Sequence, residues 1–498
     1  MNVNPITRLD YPDPDVIRVE DTYYMVSTTM HFMPGCEILQ SFDLVHWEHV
    51  TYVYETLDHT DAQQLKSGQN IYGQGMWAAS LRYHEGRFYI CFVANDTRKT
   101  YLYTSEKIDG PWKKQLIEGF YHDGSLLFDE DGRNYIVYGN DEIWITELNE
   151  DLTAPRKDGL HRLLVSDHKN PELGYEGSHI QKINGYYYIF LVHSLRDRWM
   201  RTEACFYSDS LEGEFTGGDV LCDDRGYCGQ GVAQGGIVDT PDGKWYAMLF
   251  QDSGAVGRIP ILIPVTWKDH FPVFGQNGHV PEEIEVHSTR PGYIYQPLVG
   301  SDDFCNGLLP RWQFNHDPDP RYYHLDALQG TYTITTREVC TELTQAVNTL
   351  TQRMSYPSCA AEVTVDASAL KEGDVAGLCA LQGCYAAVGI TKHHGKYEVL
   401  MLDKKEDGIL DMTEGNVVES HQIDFRLEAD FCNMKDEARC YYRVNKGDWL
   451  PIGTVHKLYF KLDHFTGCRF GLFCYAAEET GGSACFRDFK YYDVDEIS

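Results

Sequence analysis

Basic residues are scarce in this sequence of 498 residues. Its 43 Lys and Arg stand against 75 Asp and Glu, which gives a formal net charge of −32 at pH 7. Proteins that bind nucleic acids or anionic lipids rely on Lys and Arg, which displace counterions from phosphate groups. The acidic balance therefore argues against both kinds of partner and favours a neutral small molecule or a glycan.

Long apolar runs and metal-binding cysteine patterns are also missing. No apolar stretch approaches the roughly 20 residues that span a bilayer, so we expect no membrane insertion. The N-terminus has no basic segment followed by an apolar one, so the chain as given shows no signal peptide and we expect a cytoplasmic protein. The 15 cysteines include no CxxC pair, which argues against a zinc site and favours free buried thiols.

Instead of helical periodicity, the first part of the chain repeats a short aromatic and β-branched segment after a Gly or Asp turn. An aromatic residue anchors each copy, and the copies lie 47 to 65 residues apart (135 − 88 and 88 − 23). The five anchors are Tyr23, Phe88, Tyr135, Tyr187 and Trp245. Each interval can hold one four-stranded sheet with its loops, which is a propeller blade. The repeat predicts a five-bladed β-propeller, and a series of hairpins in a sandwich is the alternative.

A second residue precedes each anchor by a nearly constant 10 to 12 residues (23 − 13 and 135 − 123). These residues are Asp13, Trp77, Asp123, Glu176 and Gln234. If the anchors lie on the second strand of each blade, the preceding residues lie on the innermost strand and converge at one end of the channel. Two carboxyl groups, one protonated and one ionised, are the minimum for hydrolysing a glycosidic bond. For any one acid alone, a solvated turn is the alternative.

Five ordered motifs at blade spacing surround these residues. They are Tyr11-Pro12-Asp13-Pro14-Asp15, Met76-Trp77-Ala78-Ala79-Ser80, His122-Asp123-Gly124-Ser125-Leu126, Tyr175-Glu176-Gly177-Ser178-His179, and Gly257-Arg258-Ile259-Pro260 with Pro264-Val265-Thr266-Trp267. Together they resemble the motif set of family 43 of the glycoside hydrolases, and most closely its β-xylosidase and α-L-arabinofuranosidase branch. The resemblance covers nearly the whole chain.

The resemblance implies an inverting mechanism with three carboxyl groups. Asp13 would be the general base that activates water, and Glu176 the general acid that protonates the departing oxygen. Asp123 would orient Glu176 and raise its pKa, as a neighbouring carboxylate does. Trp77 would line the sugar subsite, and Arg258 would donate hydrogen bonds to the bound pentose.

Three further residues are expected at the pocket. His31 and Phe32 follow the first repeat strand and, with Gln234, are expected to contact the substrate; core packing is the alternative for Phe32. Many members of the resembling family carry a fifth-blade His that helps to hold a cation, whereas this sequence has Ala233. We therefore expect no required cofactor, and we leave open a hydrated Ca²⁺ near His179 and Gln234.

The texture of the sequence changes after residue 298, and we predict two domains, 1–298 and 299–498. The alternation in Glu362–Asp366 predicts strands with one buried and one wet face, as in a two-sheet sandwich. The predicted strands are Thr331–Thr336, Ala360–Ala367, Ala386–Thr391, Tyr397–Asp403, Phe425–Phe431, Arg439–Val444, Leu458–Leu462, Arg469–Ala476 and Ala484–Asp493. The fold expected overall is all-β, a five-bladed propeller followed by a concanavalin-like β-sandwich (jelly roll), which the resembling branch also carries.

The second domain has two candidate roles. It could bind carbohydrate, or it could form a wall that closes one side of the propeller pocket and restricts the enzyme to chain ends. The resemblance favours the wall, but the sequence does not identify the loop that would form it.

The function expected is that of an inverting exo-acting glycosidase. It would remove terminal β-D-xylosyl or α-L-arabinofuranosyl residues from xylan or arabinoxylan-type oligosaccharides. The alternatives are an endo-arabinanase on the same propeller and a non-catalytic glycan-binding protein. The expected partners are pentose-containing oligosaccharides, and association into a homo-oligomer is left open.

Overall fold

The computed structural model describes residues 2–493, which form strands joined by loops and three short 3₁₀ helices. The helices are Lys66–Gly68, Leu343–Gln345 and Cys432–Met434. None of the helices in this part of the chain is long and apolar enough to cross a bilayer.

The first 23 strands cover the N-terminal part of the chain. They are β1 (Asn2–Val3), β2 (Asp15–Val19), β3 (Thr22–Val26), β4 (Phe32–Met33), β5 (Gly35–Ser41), β6 (Glu48–Tyr54), β7 (Met76–His84), β8 (Arg87–Ala94), β9 (Lys99–Ser105), β10 (Lys113–Ile117), β11 (Ser125–Phe128), β12 (Asn134–Asn140), β13 (Glu142–Leu148), β14 (His161–Ser166), β15 (Glu176–Ile183), β16 (Tyr186–Ser194), β17 (Arg201–Ser208), β18 (Thr216–Leu221), β19 (Ala233–Asp239), β20 (Trp245–Asp252), β21 (Arg258–Lys268), β22 (Phe271–Phe274) and β23 (Glu283–Ile284).

Twenty of these strands form five antiparallel four-stranded sheets, which are the predicted blades. The sheets have the orders β2-β3-β5-β6, β7-β8-β9-β10, β11-β12-β13-β14, β15-β16-β17-β18 and β19-β20-β21-β22. The innermost strands β2, β7, β11, β15 and β19 contact one another in turn, and β19 contacts β2. The ring therefore closes, and the five-bladed propeller is confirmed.

The aromatic repeat holds the blades together. All five anchors lie on the second strand of their blades, as the sequence predicted. Tyr23 packs between the first and fifth blades with Val238 and Tyr246. Tyr135 packs between the third and fourth blades with Ile189. The repeat thus supplies the apolar contacts between neighbouring sheets.

The last 14 strands build two larger sheets. They are β24 (Gln313–Asn315), β25 (Tyr323–Asp326), β26 (Thr331–Thr335), β27 (Leu350–Arg353), β28 (Ser358–Asp366), β29 (Asp374–Leu381), β30 (Tyr385–His393), β31 (Lys396–Lys404), β32 (Leu410–Val418), β33 (Gln422–Asp430), β34 (Glu437–Val444), β35 (Leu450–Lys457), β36 (Arg469–Ala476) and β37 (Ser483–Asp493). The sheet orders are β32-β31-β30-β29-β36-β27-β24-β4 and β25-β26-β37-β28-β33-β34-β35. Residues from both sheets, including Val363, Phe425 and Leu472, share one buried core, as expected of a sandwich.

Eight of the nine strands predicted for the sandwich are observed, and one prediction is wrong. Residues 458–462 lie in the loop between β35 and β36, and this loop extends to the propeller. Six further strands were not predicted: β24, β25, β27, β29, β32 and β35. Three of them, β24, β25 and β27, are four residues long or shorter, so they leave little pattern in the sequence.

The cysteines are free thiols, as predicted. Ten of the fifteen are buried, which agrees with their use as small apolar residues. Four are exposed: Cys222, Cys228, Cys305 and Cys432.

A strand of the propeller segment completes one sheet of the sandwich. In β4, Phe32 pairs with Asn315 and Met33 with Phe314 of β24. The guanidinium of Arg469, on β36, lies 3.5 Å from the centre of the Phe32 ring. The two parts of the chain are therefore joined by backbone pairing as well as by side chains.

A buried ion pair reinforces this junction. Arg353 of β27 contacts Glu37 of β5, with 2.8 Å between Nη1 and Oε2, and both side chains are almost fully buried. His49 contacts the other oxygen of Glu37 at 3.0 Å. Because a buried charge is costly without a partner, this pair fixes how the sandwich sits on the first blade.

Three buried histidines meet at the same junction. The ring of His31 lies 4.8 Å from that of His316 and 5.2 Å from that of His464, and Tyr72 packs against all three. Burial and the positive charge of His464 together lower the pKa of His316 to about 3. Burial and the charge of Arg469 lower the pKa of His464 to about 4, against the opposing charge of Asp463.

These histidines predict a loss of stability in mild acid. The unfolded chain, with a histidine pKa near 6.5, binds protons that the folded chain excludes. The contribution of these neutral histidines to the free energy of unfolding is complete above pH 6.5 and is lost as the pH falls toward 4. Between pH 7.5 and 5.5 each histidine should lower the free energy of unfolding by about 1 kcal/mol. His464→Gln should reduce this pH dependence, measured by denaturant unfolding at both pH values.

The matched control is His287→Gln, because the His287 side chain is 66% exposed. The control should show the same pH dependence as the unmodified protein. Equal pH dependence in His464→Gln and the unmodified protein would show that His464 does not titrate with folding.

Candidate active site

The five residues at constant distance from the anchors all stand where an innermost strand begins. Asp13 and Asp123 lie just before β2 and β11 in the left-handed region, with φ of 51° and 48°. Trp77, Glu176 and Gln234 lie at register shifts near the starts of β7, β15 and β19. Bulges and left-handed residues re-aim a side chain relative to a regular strand. In all five blades, a left-handed residue or a register shift thus directs this side chain.

Asp13 is held by two donors. Arg258 Nη1 donates to Oδ1 at 2.7 Å, and the hydroxyl of Thr28 donates to Oδ2 at 2.5 Å. Asp13 is only 3% exposed, and both contacts stabilise a carboxylate. The arrangement suits a carboxylate that accepts a proton.

Arg258 is itself fixed on several sides. Its Nε donates to Asp252 Oδ1 at 3.2 Å, and Asp252 also pairs with Arg201. The guanidinium lies 3.8 Å from the ring centre of Phe465 and 4.6 Å from that of Phe250. Stacking on aromatic faces favours the cation and keeps its planar fork in place.

Glu176, His122 and Asp123 form a second cluster. His122 Nε2 lies 3.5 Å from Glu176 Oε2 and 3.5 Å from Asp123 Oδ2. Asn140 Nδ2 donates to Glu176 Oε2 at 2.9 Å, and the N–H of Gly177 donates to Asp123 Oδ2 at 2.9 Å. Asp123 therefore holds the backbone that directly follows Glu176. The Glu176 side chain is 21% exposed, against 7% for Asp123, so Glu176 is the more open carboxyl group.

The proton of this cluster lies on the imidazole near neutral pH. Burial lowers the pKa of His122, but the negative charges of Asp123 and Glu176 outweigh it and raise the pKa to about 9. Burial, with the charges of Glu176 and Asp13, raises the pKa of Asp123 to about 6. Burial also raises the pKa of Glu176. The contact with His122 and the charges of His122 and Arg201 outweigh the effect of burial and hold the pKa of Glu176 below its usual value. That Asp123 raises the pKa of Glu176 stays a prediction.

Two aromatic rings from different parts of the chain meet edge to face beside these acids. The rings of Trp77 and Phe465 are 5.3 Å apart at 73°, and Trp77 Nε1 donates to the carbonyl of Gly73 at 3.3 Å. Phe465 belongs to the loop between β35 and β36 of the sandwich. The next turn of this loop is tied to the propeller, since the N–H of Gly467 donates to Asp10 Oδ2 at 2.7 Å. The sequence alone did not single out this loop.

His31 and Phe32 lie in the junction between propeller and sandwich. His31 Nε2 is 3.1 Å from Asn315 Oδ1, and Phe32 lies under Arg469. For Phe32, the structure therefore shows the packing role that was the alternative. A direct contact of either residue with substrate stays a prediction.

Gln234 lies directly against the strand that carries the proposed acid. A Cβ atom on Gly177 would come within 2.6 Å of Gln234 Cγ, and Gly177 has a φ of 67°. Only glycine fits there, so Gln234 and Gly177 together set the path of the backbone after Glu176. The N–H of Gln234 donates to the buried carboxyl of Glu203 at 2.7 Å. Its contact with substrate is untested.

The residues around the axis do not fit the calcium ion left open by the sequence. His179 Nδ1 lies 3.1 Å from Asp15 Oδ1, and Arg82 Nη1 donates to Asp15 Oδ2 at 2.7 Å. Ca²⁺ prefers several oxygen ligands. Here the nearby carboxylate is occupied and its charge is balanced by Arg82.

Several residues of the site were missed by sequence reasoning. Thr28 and Asn140, which bind Asp13 and Glu176, both follow their anchors by five residues (28 − 23 and 140 − 135). The constant downstream offset is a signal that could have found them. His122 adjoins a predicted acid and could have been weighed with it. Phe465 carries no local signal, because only folding brings it to the propeller.

Two family models match the chain. The model of glycosyl hydrolases family 43 matches residues 3–272, and the model of the beta xylosidase C-terminal concanavalin A-like domain matches residues 301–492. Among curated proteins, a beta-xylosidase of Formosa agariphila is 27% identical, over 99% of this chain and 89% of its own length. The sandwich prediction agrees with the second model.

Solved structures agree with the match to the family models. A bifunctional GH43-CE protein of Bacteroides eggerthii is 42% identical with a TM-score of 0.91. The alignment covers 100% of this chain and 64% of that protein, so this chain spans just under two thirds of its length. A GH43 glycoside hydrolase engineered to display both endo-xylanase and exo-arabinofuranosidase activity is 27% identical with a TM-score of 0.89, over 99% of both chains. Since the first family model covers more than half of its residues, this chain belongs to family 43 of the glycosyl hydrolases and is a glycosidase.

Proposed function

We propose that this glycosidase inverts the configuration at the anomeric carbon of its substrate and acts on chain ends. It would remove terminal β-D-xylosyl or α-L-arabinofuranosyl residues from xylan or arabinoxylan-type oligosaccharides. The observation that carries the proposal is the convergence of Asp13, Asp123 and Glu176 at one end of the propeller, beside an aromatic wall from the sandwich. The names of the relatives, which include beta-xylosidase and exo-arabinofuranosidase activity, support the pentose specificity.

The contacts of Asp13 and Glu176 suit different roles. Asp13, which accepts hydrogen bonds from Arg258 and Thr28, removes a proton from water, and the resulting hydroxide attacks the anomeric carbon. The bond from that carbon to the glycosidic oxygen breaks, and the oxygen takes a proton from Glu176, which receives it from His122 Nε2, 3.5 Å from Glu176 Oε2. Glu176 is the more solvent-exposed acid, so it can reach a leaving group that departs toward solvent. Asp123 positions Glu176 through the N–H of Gly177.

The pocket walls suit a single sugar ring. Trp77 offers a partly exposed aromatic ring on which a sugar can stack, and the buried ring of Phe465 packs against Trp77 from behind. Arg258 already uses Nη1 and Nε for Asp13 and Asp252, so a sugar hydroxyl would bind at its remaining nitrogen, Nη2.

The position of Phe465 favours action at chain ends. An endo-acting enzyme such as an arabinanase needs a groove that is open in both directions from the scissile bond. Here the sandwich loop contacts Arg258 and Trp77, so it borders the subsite next to the acids. A polymer could continue from that subsite only on the opposite side.

Separate variants should distinguish the base from the acid. Asp13→Ala should lower kcat by about 10³-fold or more on every aryl pentoside, because even a good leaving group cannot compensate for the loss of the base that activates the attacking water. Glu176→Ala should lower kcat about as much on substrates with poor leaving groups, but much less on dinitrophenyl pentosides, which need little protonation. Initial rates on a series of aryl xylosides and arabinofuranosides measure both effects.

The control is Glu172→Ala, an exposed acid in the loop before β15, which should keep the activity of the unmodified protein. An unchanged rate in either active-site variant, or the same loss in Glu176→Ala on every leaving group, would refute the assigned roles.

The stereochemical outcome is a separate prediction. Inversion requires that the β-xyloside first releases α-xylose, because water attacks from the face opposite the leaving group. Proton NMR of the anomeric signals in the first minutes of hydrolysis measures this directly. Initial release of β-xylose would show retention and would contradict the role of Asp13 as a base.

Phe465→Ala should weaken binding at the terminal subsite and open it. We expect kcat/KM on aryl pentosides to fall about 10-fold, since an aromatic contact contributes roughly 1 kcal/mol or more. Digestion of xylohexaose should begin to yield disaccharide as well as xylose, as followed by chromatography. Leu462→Ala, in the same loop with Leu462 46% exposed, is the control and should release only xylose. Unchanged kinetics and products in Phe465→Ala would show that this ring does not close the pocket.

A further inference from the structure

One nitrogen of the active site lacks a conventional hydrogen bond. Within the described residues, His122 Nε2 is buried and no donor or acceptor meets it in hydrogen-bond geometry. Its nearest polar neighbours are Asp123 Oδ2 and Glu176 Oε2, each 3.5 Å away. One ligand atom from each of the three residues lies within 4.8 Å of the other two. The three groups thus surround a small space without linking directly across it.

The 3.5 Å separations match the edge of a metal tetrahedron. Bonds from Zn²⁺ to imidazole nitrogen or carboxylate oxygen are about 2.0 to 2.2 Å long. At tetrahedral angles, such bonds place neighbouring ligand atoms about 3.3 to 3.6 Å apart. His122 Nε2 therefore already stands at the correct distance from both oxygens.

The types of ligand also favour zinc. One imidazole and two carboxylates are a common ligand set for Zn²⁺, whereas Ca²⁺ and Mg²⁺ prefer six or more oxygens. Because the Glu176 side chain is 21% exposed, the fourth position can open to the pocket and hold water.

Two neighbouring groups would orient the ligands. Asn140 donates to Glu176 Oε2 at 2.9 Å, and the N–H of Gly177 donates to Asp123 Oδ2 at 2.9 Å. Carboxylate ligands in metal sites are often fixed by such outer hydrogen bonds. Each oxygen keeps a second lone pair for the metal.

We propose that His122, Asp123 and Glu176 bind a Zn²⁺ ion and that this ion inhibits the enzyme. The inhibitory half rests on the proposed function, because a zinc ion bonded to Glu176 Oε2 occupies the oxygen that must protonate the leaving group. The binding half does not depend on it. Since the ion lies where the scissile bond must bind, zinc and substrate exclude each other.

Binding is tested with Co²⁺, which takes the geometry of zinc and reports it by its visible spectrum. The full-length protein is first alkylated so that the exposed Cys222, Cys228, Cys305 and Cys432 do not bind metal. We expect one equivalent of Co²⁺ with the intense absorption of a four-coordinate ion, displaced by one equivalent of Zn²⁺. His122→Gln should weaken binding at least 10-fold, because it removes the only nitrogen ligand.

His84→Gln, at the far end of the strand that carries Trp77, is the matched control and should keep the full affinity. If His122→Gln does not fold, Asp123→Asn tests the same site with a side chain of nearly unchanged size. Failure of the unmodified protein to bind Co²⁺, or equal binding by His122→Gln or Asp123→Asn, would overturn the site.

Inhibition is tested separately with aryl pentosides. Zinc should raise KM and leave kcat unchanged, and a chelator should restore activity fully. Stoichiometric binding at this site without inhibition would overturn the inhibitory half and, with it, the role of Glu176, while leaving the metal site in place. Activation by zinc would overturn the inhibitory half as well. If the protein does not bind Co²⁺ but Glu176→Ala has its expected kinetic effects, the metal site is refuted and the proposed function is retained.

Discussion

The pairing of β4 with β24 is the contact on which the geometry of the site depends. It makes Phe32–Met33 the edge strand of a sandwich sheet, so the first blade and the sandwich share backbone hydrogen bonds. The buried pair between Arg353 and Glu37 then fixes the relative position of the two. With the sandwich held there, the loop after β35 reaches the propeller and places Phe465 on Arg258. Arg258 in turn holds Asp13.

Charge balance explains how three carboxyl groups coexist in a largely buried site. Asp13 is paired with Arg258, and the cluster of Asp123 and Glu176 is compensated by His122. Buried charges are tolerated when a partner of opposite sign lies within contact distance. Because the two cationic groups differ, the acids differ too. The guanidinium remains charged, whereas the imidazole can lose its proton or exchange it for a metal ion.

Much of the architecture could be predicted from local pattern. The distance of each acid from its aromatic anchor depends only on one strand, one turn and the next strand, so it can be read from the sequence. For the same reason β33 and β34, whose buried residues alternate with more exposed ones, were found. Residues 458–462 were mistaken for a strand because Leu458 and Phe460 pack against the sandwich core as strand residues do.

The sequence by itself determined five blades, a sandwich, and the three acids that begin innermost strands. Only the tertiary structure decided the partners of those acids. Thr28 lies just after the second strand of its blade and Asn140 at the end of its own. Phe465 comes from a loop more than 200 residues beyond the last of these acids (465 − 176). Spacing along the chain is a property of local backbone geometry, whereas contacts between distant segments depend on how whole sheets pack. The protonation states of the acids depend on those contacts, so they too were decided by the packing.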